Sequence, residues 1–129
     1  MTVSSPVRLL VVDDCAEMRE SILAILARVA NVELAGEVGS AHEAMDVIRE
    51  VAVDIVLMDI RMPEMNGLEA TRHMLASPNA PRIVLFTFDE PQVYEEAALA
   101  AGAHGFLRKS ELWTELVPML RSLESRRSI

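Results

Sequence analysis

The chain has 129 residues, of which 51% are hydrophobic, and its formal net charge is −8. This length predicts a single domain (1–129, core about 7–123). The only basic cluster is Arg126 and Arg127, so we expect no direct binding to nucleic acid. No stretch is apolar enough for a membrane span, the N-terminus does not resemble a secretory signal, and the single Cys15 allows no internal disulfide, so we predict a soluble cytoplasmic protein.

Five short apolar runs predict buried β-strands. They are Val7–Val12, Val32–Val38, a run from Val53 to Met58, Arg82–Phe86 and Gly105–Leu107. The segments that follow them have apolar residues at steps of three and four, which is typical of amphipathic helices. Four of these predicted helices are Cys15–Arg28, Ser40 to about Val51, Gly67–Leu75 and Pro91–Ala101. Parallel strands need such crossover helices, so the sequence predicts an α/β protein with a doubly wound, five-stranded parallel sheet.

The last predicted helix contains a proline. Its apolar face is marked by four leucines, Leu112, Leu116, Leu120 and Leu123, and Pro118 lies between them. A proline beyond the first turn removes a backbone hydrogen bond and costs about 3 kcal/mol. We therefore expect that this helix either begins late, near Thr114, or is kinked.

Polar side chains follow four of the five predicted strands. Asp13 and Asp14 follow the first strand, Asp59 the third, Thr87 the fourth and Lys109 the fifth. The carboxyl ends of parallel strands meet at one edge of a sheet, so we expect these side chains to converge in one crevice. Each has an ordinary alternative, since the first two acids could cap a helix and the lysine could be solvated. Their occurrence together at successive strand ends favours a shared site.

The chemistry of this crevice can be assigned from its residue types. Neighbouring carboxylates repel one another unless a cation lies between them, and oxygen ligands of this kind suit Mg²⁺. A carboxylate beside that ion can attack a phosphoryl group and form an aspartyl phosphate. We assign Asp59 as the nucleophile, because an open loop follows it, and Asp13 and Asp14 as metal ligands. Lys109 and Thr87 would then contact the phosphoryl oxygens.

Other functions fit the sequence less well. A dinucleotide-binding enzyme needs a glycine-rich turn after the first strand, where this chain has DDCAEM. A phosphatase or mutase that uses an aspartyl phosphate would carry a second acid two residues after Asp59, where this chain has Arg61. We therefore predict that the chain is not an enzyme and catalyses only its own phosphorylation and dephosphorylation. A protein-binding module that no longer accepts phosphate stays open as an alternative.

Together these motifs resemble the receiver domain of bacterial response regulators, which have a CheY-like fold and act in two-component signalling. The resemblance covers about Val7 to Leu123 and rests on the pair Asp13 and Asp14, DIRMPEMNG at 59–67, Thr87, and GFLRK at 105–109. It implies a (βα)5 fold and Mg²⁺-dependent phosphorylation of Asp59 by a partner histidine kinase. The metal would also bind the backbone carbonyl of Arg61.

The resemblance also implies a conformational switch. Thr87 would move toward the phosphoryl group and Phe106 would turn inward. This change would remodel the face made by helix four, strand five and helix five, here about 90–101 and 105–125. That face would control a partner or a DNA-binding output domain, which this sequence does not include. A homodimer would use the same face or the surface of helices one and five.

Several residues depart from the usual receiver pattern. Many receivers have proline where this chain has Ser110, and this residue with FDE at 88–90 is closer to the NarL/LuxR-type branch, which is usually fused to a helix-turn-helix domain. The position after Thr87 is commonly small, and here it is Phe88. With Arg61 and Asp89, we expect this ring to gate the pocket and to alter dephosphorylation.

Overall fold

The computed structural model describes the backbone of residues 5–88 and 91–127 and the side chains of residues 5–88 and 93–123. The strands are β1 (Val7–Val12), β2 (Val32–Val38), β3 (Ile55–Asp59), β4 (Arg82–Thr87) and β5 (Gly105–Arg108). The helices are α1 (Ala16–Leu26), α2 (Ala41–Glu50), α3 (Gly67–Leu75), α4 (Pro91–Ala101) and α5 (Leu112–Arg127). A 3₁₀ turn, Lys109–Glu111, joins β5 to α5. Within the described ranges, no helix has the length and apolar content that crossing a bilayer requires.

All five strands pair in parallel, in the order β2-β1-β3-β4-β5. This topology confirms the predicted doubly wound α/β sheet. The strand order reverses between β1 and β3, which is the point where ligands bind in open parallel sheets. Asp13 directly follows β1 and Asp59 is the last residue of β3, so both acids lie at this point.

The side chains of the central strands alternate between two apolar layers. Leu9 and Val11 of β1 pack in the layer that contains the buried residues of α1 and α5, whereas Leu10 and Val12 pack in the layer of α2, α3 and α4. All four are fully buried. Because both faces of the sheet are covered, the strand sequences are nearly continuous apolar runs rather than alternating ones.

Helix ends at α2, α3 and α4 are fixed by local hydrogen bonds and by a glycine. At the start of α2, the Ser40 hydroxyl accepts a hydrogen bond of 3.1 Å from the Glu43 N–H. Asn66 and Glu69 form a second capping box at the start of α3. Gly102 follows α4 with φ +100°, a left-handed conformation that suits glycine.

Of the two alternatives for the last helix, the late start is wrong, and the kink at Pro118 stays a prediction. α5 begins at Leu112 rather than near Thr114, and Pro118 lies inside the helix. The apolar face explains this outcome, since all four of its leucines are at most 2% exposed, namely Leu112, Leu116, Leu120 and Leu123. Their burial offsets the one hydrogen bond that a proline cannot donate.

Strand β3 is shorter at its start than the prediction, which placed Val53 in it. Asp54 explains the difference, because its side-chain Oδ2 accepts a hydrogen bond of 2.8 Å from the Arg8 N–H, in place of a backbone acceptor. The strands β4 and β5 each extend one residue further than expected, to Thr87 and Arg108. These two residues pair with each other at the carboxyl edge of the sheet.

Candidate functional site

A buried cluster of charged side chains lies at the carboxyl edge of the sheet. The Lys109 Nζ atom lies 3.1 Å from Asp59 Oδ2 and 3.3 Å from Asp13 Oδ2. Asp13 is 0%, Asp59 4% and Lys109 7% exposed, so water screens these charges weakly. Asp14 is exposed, and one oxygen of its carboxylate lies within 4.8 Å of one oxygen of Asp13 and one of Asp59. The Lys109 ammonium therefore pairs with two of the three grouped carboxylates.

Both backbone polar groups of Asp13 and one of its carboxylate oxygens form hydrogen bonds. Its N–H donates to the Val38 carbonyl at 3.1 Å, its carbonyl accepts from the Arg19 Nη1 at 2.6 Å, and its Oδ1 accepts from the Cys15 N–H at 2.9 Å. The Cys15 N–H belongs to the residue before the first turn of α1, so this contact lies next to the helix start but is not a cap of the helix. It uses only one carboxylate oxygen, so the other remains directed at the cluster.

That other oxygen, Asp13 Oδ2, is buried and receives no hydrogen bond from the described residues. Lys109 lies at ion-pair distance from it, but without the geometry of a hydrogen bond. Buried carboxylate oxygens almost always have a donor or a metal ion. The three grouped carboxylates, one with an unbonded oxygen, therefore form a donor set that could hold a divalent cation.

Asp59 has both a fixed orientation and an unusual acidity. Its Oδ1 accepts a hydrogen bond of 3.0 Å from the Arg61 N–H, and its Oδ2 accepts one of 3.1 Å from Lys109. Burial raises the pKa of the Asp59 carboxyl from 3.8 to about 6, and the neighbouring Asp13 adds to the rise, while the Arg61 N–H and Lys109 oppose it. The charged form of Asp59 is thus destabilised in the absence of a cation.

Gly67 brings the loop after Asp59 close to the strand. Its N–H donates to the Ile60 carbonyl at 2.8 Å. A Cβ atom at Gly67 would lie 2.5 Å from the Asp59 carbonyl oxygen and 2.9 Å from the Ile60 Cα, which are both backbone atoms. Only glycine therefore fits here without a shift of the backbone that carries Asp59.

Thr87 lies beside the site at the end of β4, whereas Phe106 lies on the neighbouring strand, β5. Thr87 is fully buried at the end of β4, directly after Phe86, whose pairing partner in β3 is Asp59. Phe106 of β5 is half-buried and packs against the apolar layer that includes Leu85. It also lines a groove between α4 and α5.

Two aromatic rings flank the ammonium group of Lys109. Its Nζ lies 4.0 Å from the centre of the Phe88 ring and 5.2 Å from that of Phe86. A cation within about 6 Å of a ring centre is attracted to the ring face. Phe86 is buried, whereas Phe88 is 72% exposed, so Phe88 covers the lysine from the solvent side.

The structure brings most of the predicted site residues together. Asp13, Asp14, Asp59 and Lys109 form the cluster, and Phe88 lies against it. Asp89 lies outside the described residues. The sequence did not single out Arg19, because its contact is with a backbone carbonyl rather than with a recognisable motif.

The family model of the response regulator receiver domain matches residues 9–121 of this chain. The protein "Response regulator GacA" from Pseudomonas viridiflava is 36% identical to it over 115 residues, which are 89% of this chain and 54% of GacA. The chain thus spans about half the length of the curated relatives it matches.

Solved structures are similar to the chain as a whole. A two-component response regulator of the LuxR family from Aurantimonas sp. SI85-9A1 has a TM-score of 0.88 and 34% identity, over 95% of this chain and 88% of that chain. The signal receiver domain of a response regulator named NarL from Mycobacterium tuberculosis has a TM-score of 0.88 and 28% identity, over 96% of this chain and 100% of that chain.

Proposed function

Since this chain belongs to the response regulator receiver family, we propose that it accepts a phosphoryl group on Asp59 from a histidine kinase, with Mg²⁺ in its acidic pocket. It is a signalling domain rather than an enzyme that turns over an external substrate. The observation that carries the proposal is the environment of Asp59, which is buried, oriented by Arg61 and Lys109, and next to an unbonded oxygen of Asp13.

In the proposed reaction Asp59 is the nucleophile. One of its carboxylate oxygens forms a bond to the phosphorus of the donor, while the bond from phosphorus to the leaving group breaks and the leaving group keeps the electron pair. The Arg61 N–H holds the carboxylate in one orientation. Lys109, 3.1 Å from Oδ2, favours the ionised nucleophile and is close enough to pair with the incoming phosphoryl oxygens.

Asp13, Asp14 and Asp59 would hold the metal, together with the backbone carbonyl of Arg61. A bound Mg²⁺ would offset the negative charge of the transferring oxygens. The donor set supports this assignment, because hard carboxylate oxygens that are partly open to water suit Mg²⁺ better than they suit softer metals. Without a cation, phosphorylation would add roughly −1.5 to −2 charge to a pocket that is already acidic.

We further propose that phosphorylation is transmitted through Thr87 and Phe106 to the face formed by α4, β5 and α5. The groove in that face is lined by Phe106, Arg108, Glu95, Glu111, Pro118 and Met119, which combine apolar contact area with both signs of charge. Such a surface suits a protein partner, either a DNA-binding output domain or a second copy of the chain. The surface of α1 and α5 is the other candidate for a homodimer.

We propose a cytoplasmic location for the chain, where the reducing conditions would keep Cys15 as a thiol.

The test of this proposal is the intact mass of the purified chain after incubation with acetyl phosphate and Mg²⁺. We expect a gain of one phosphoryl group, which disappears when a chelator is added before the donor. If neither small donors nor histidine kinases give any gain, the chain is instead a binding module that works without phosphate.

Removing the ring of Phe88 is expected to shorten the lifetime of the phosphorylated state several-fold. The ring covers the Lys109 ammonium from the solvent side, so its loss would open a path for water to the phosphoryl group. Decay of the phosphorylated chain, followed by intact mass, would compare Phe88→Ala with Trp113→Ala, which removes another exposed aromatic side chain. Equal lifetimes in the native chain and Phe88→Ala would contradict the gating role.

A further inference from the structure

One arginine on α1 connects three parts of the fold at the edge of the acidic pocket. The Arg19 Nη1 donates to the Asp13 carbonyl at 2.6 Å, and its Nε donates to Glu37 Oε1 at 2.9 Å. The Arg19 side chain is 20% exposed and that of Glu37 is 39% exposed. The guanidinium thus joins the first turns of α1 to the end of β2 and to the residue that follows β1.

Asp13 is the residue whose position these contacts define. It lies one residue beyond the last paired residue of β1, Val12, so the sheet ladder alone does not fix it. Its N–H is bonded to the Val38 carbonyl, and its own carbonyl is bonded to Arg19, which is held by Glu37. Two neighbouring residues of β2 therefore fix the backbone of Asp13. Val38 holds its N–H directly, and Glu37 holds its carbonyl through Arg19.

We propose that Arg19 and Glu37 are positioning residues for the cation site. With both backbone groups of Asp13 held, the unbonded Oδ2 is directed at Lys109 and Asp59 rather than toward solvent. Neither Arg19 nor Glu37 ligates the cation in this scheme. The inference rests on the proposed function, in which the acidic cluster holds Mg²⁺.

Simple electrostatics predicts the opposite effect from positioning, so the two can be separated. Loss of the Arg19 charge makes the surroundings of the carboxylates more negative, and charge alone would then strengthen cation binding. Loss of a residue that orients a metal ligand weakens binding, typically by 10–100-fold. A lysine could not replace Arg19, because a single ammonium lacks the planar fork that reaches both acceptors.

The experiment measures Mn²⁺ binding to the full chain without any phosphoryl donor, by the loss of the paramagnetic resonance signal of free Mn²⁺. We expect Arg19→Gln to weaken binding about tenfold, and Arg19→Lys and Glu37→Gln to weaken it also. The matched control is Arg49→Gln. It removes the same charge from an exposed ion pair with Asp46 on α2, and it should leave Mn²⁺ binding unchanged.

Binding by Arg19→Gln that is equal to or tighter than that of the native chain would overturn the positioning role. A similar weakening in Arg49→Gln would also overturn it, because the effect would then not depend on the contact between Arg19 and Asp13. Arg19→Lys, which keeps the charge but not the planar fork, keeps the test available if Arg19→Gln does not fold. If the native chain binds no Mn²⁺ and takes up no phosphoryl group, the proposed function itself fails. If the native chain takes up a phosphoryl group and the variants bind Mn²⁺ as tightly as the native chain, only the positioning role is rejected.

Discussion

An Asp59→Asn chain is expected to take up no phosphoryl group and, without metal at pH 8, to be more stable than the native chain by up to about 3 kcal/mol. The first effect follows from chemistry, since an amide oxygen is not the nucleophile that this reaction needs. The second follows from burial, because the folded protein must hold an ionised Asp59 that is 4% exposed. The proposed phosphoacceptor would thus lower the stability of the fold.

The pH dependence of this difference follows from the acidity of Asp59. Burial raises the pKa of its carboxyl from 3.8 to about 6, and this difference corresponds to about 3 kcal/mol. A raised pKa means that folding is favoured while the group is protonated. This contribution is complete below about pH 3.8 and is lost as the pH rises through about 6. The advantage of Asp59→Asn should therefore be largest above pH 6 and vanish near pH 4.

Urea denaturation in the presence of a chelator, at pH 8 and pH 5, would measure both free energies of unfolding. Asp46→Asn is the matched control, because Asp46 is an exposed carboxylate on α2. Added Mg²⁺ should reduce the stability difference, since only the native chain keeps all three carboxylates. A stability difference that did not change with pH would show that burial of the charge is not its cause, and phosphoryl uptake by Asp59→Asn would contradict the assignment of the nucleophile.

Replacing Gly67 by alanine is expected to destabilise the chain by about 3 kcal/mol and to slow phosphoryl uptake at least tenfold. The added Cβ would lie 2.5 Å from the Asp59 carbonyl oxygen. Because its close neighbours are backbone atoms, no side-chain rotation can relieve the contact. Either α3 moves outward or the end of β3 shifts, and the second outcome would displace Asp59, the proposed nucleophile.

Gly36→Ala is the control for this prediction. A Cβ atom at Gly36 would meet only the Leu10 Cδ1 atom, at 3.4 Å, so the same chemical change should have a small effect there. Urea denaturation and the rate of mass gain with acetyl phosphate would be measured on both variants. If Gly67→Ala were as stable and as rapidly phosphorylated as Gly36→Ala, the close approach of α3 to β3 would not be required for the site.

Much of the fold follows from local pattern, because strands buried on both faces have continuous apolar runs. β1 and β2 match their predicted ranges in full, and so do α3 and α4. The late start of α5, one of two alternatives that the sequence left open, was wrong because the local cost of Pro118 was given more weight than the burial of the leucine face. That burial depends on the sheet beneath the helix, which a single segment does not contain.

The candidate site was predictable to the extent that its side chains stand at strand ends. Asp13, Asp59 and Lys109 converge because parallel topology brings strand ends together. The contact of Arg19 with a backbone carbonyl was not predictable, since any helix residue of sufficient length could make it. The close approach of Gly67 to Asp59 was hidden for a similar reason, because a glycine after a strand indicates a turn without indicating what lies against it.

The two hydrogen-bonded partners of the buried cluster, Asp59 and Lys109, are 50 positions apart in the chain. Asp13 comes from the first strand–helix unit, Asp59 from the third and Lys109 from the fifth. While the chain is being synthesised and Lys109 has not yet been added, Asp13 and Asp59 would lack their ammonium partner. Under the proposed function, competence to receive a phosphoryl group would therefore depend on the synthesis of the fifth strand–helix unit and not only on that of the unit that carries Asp59.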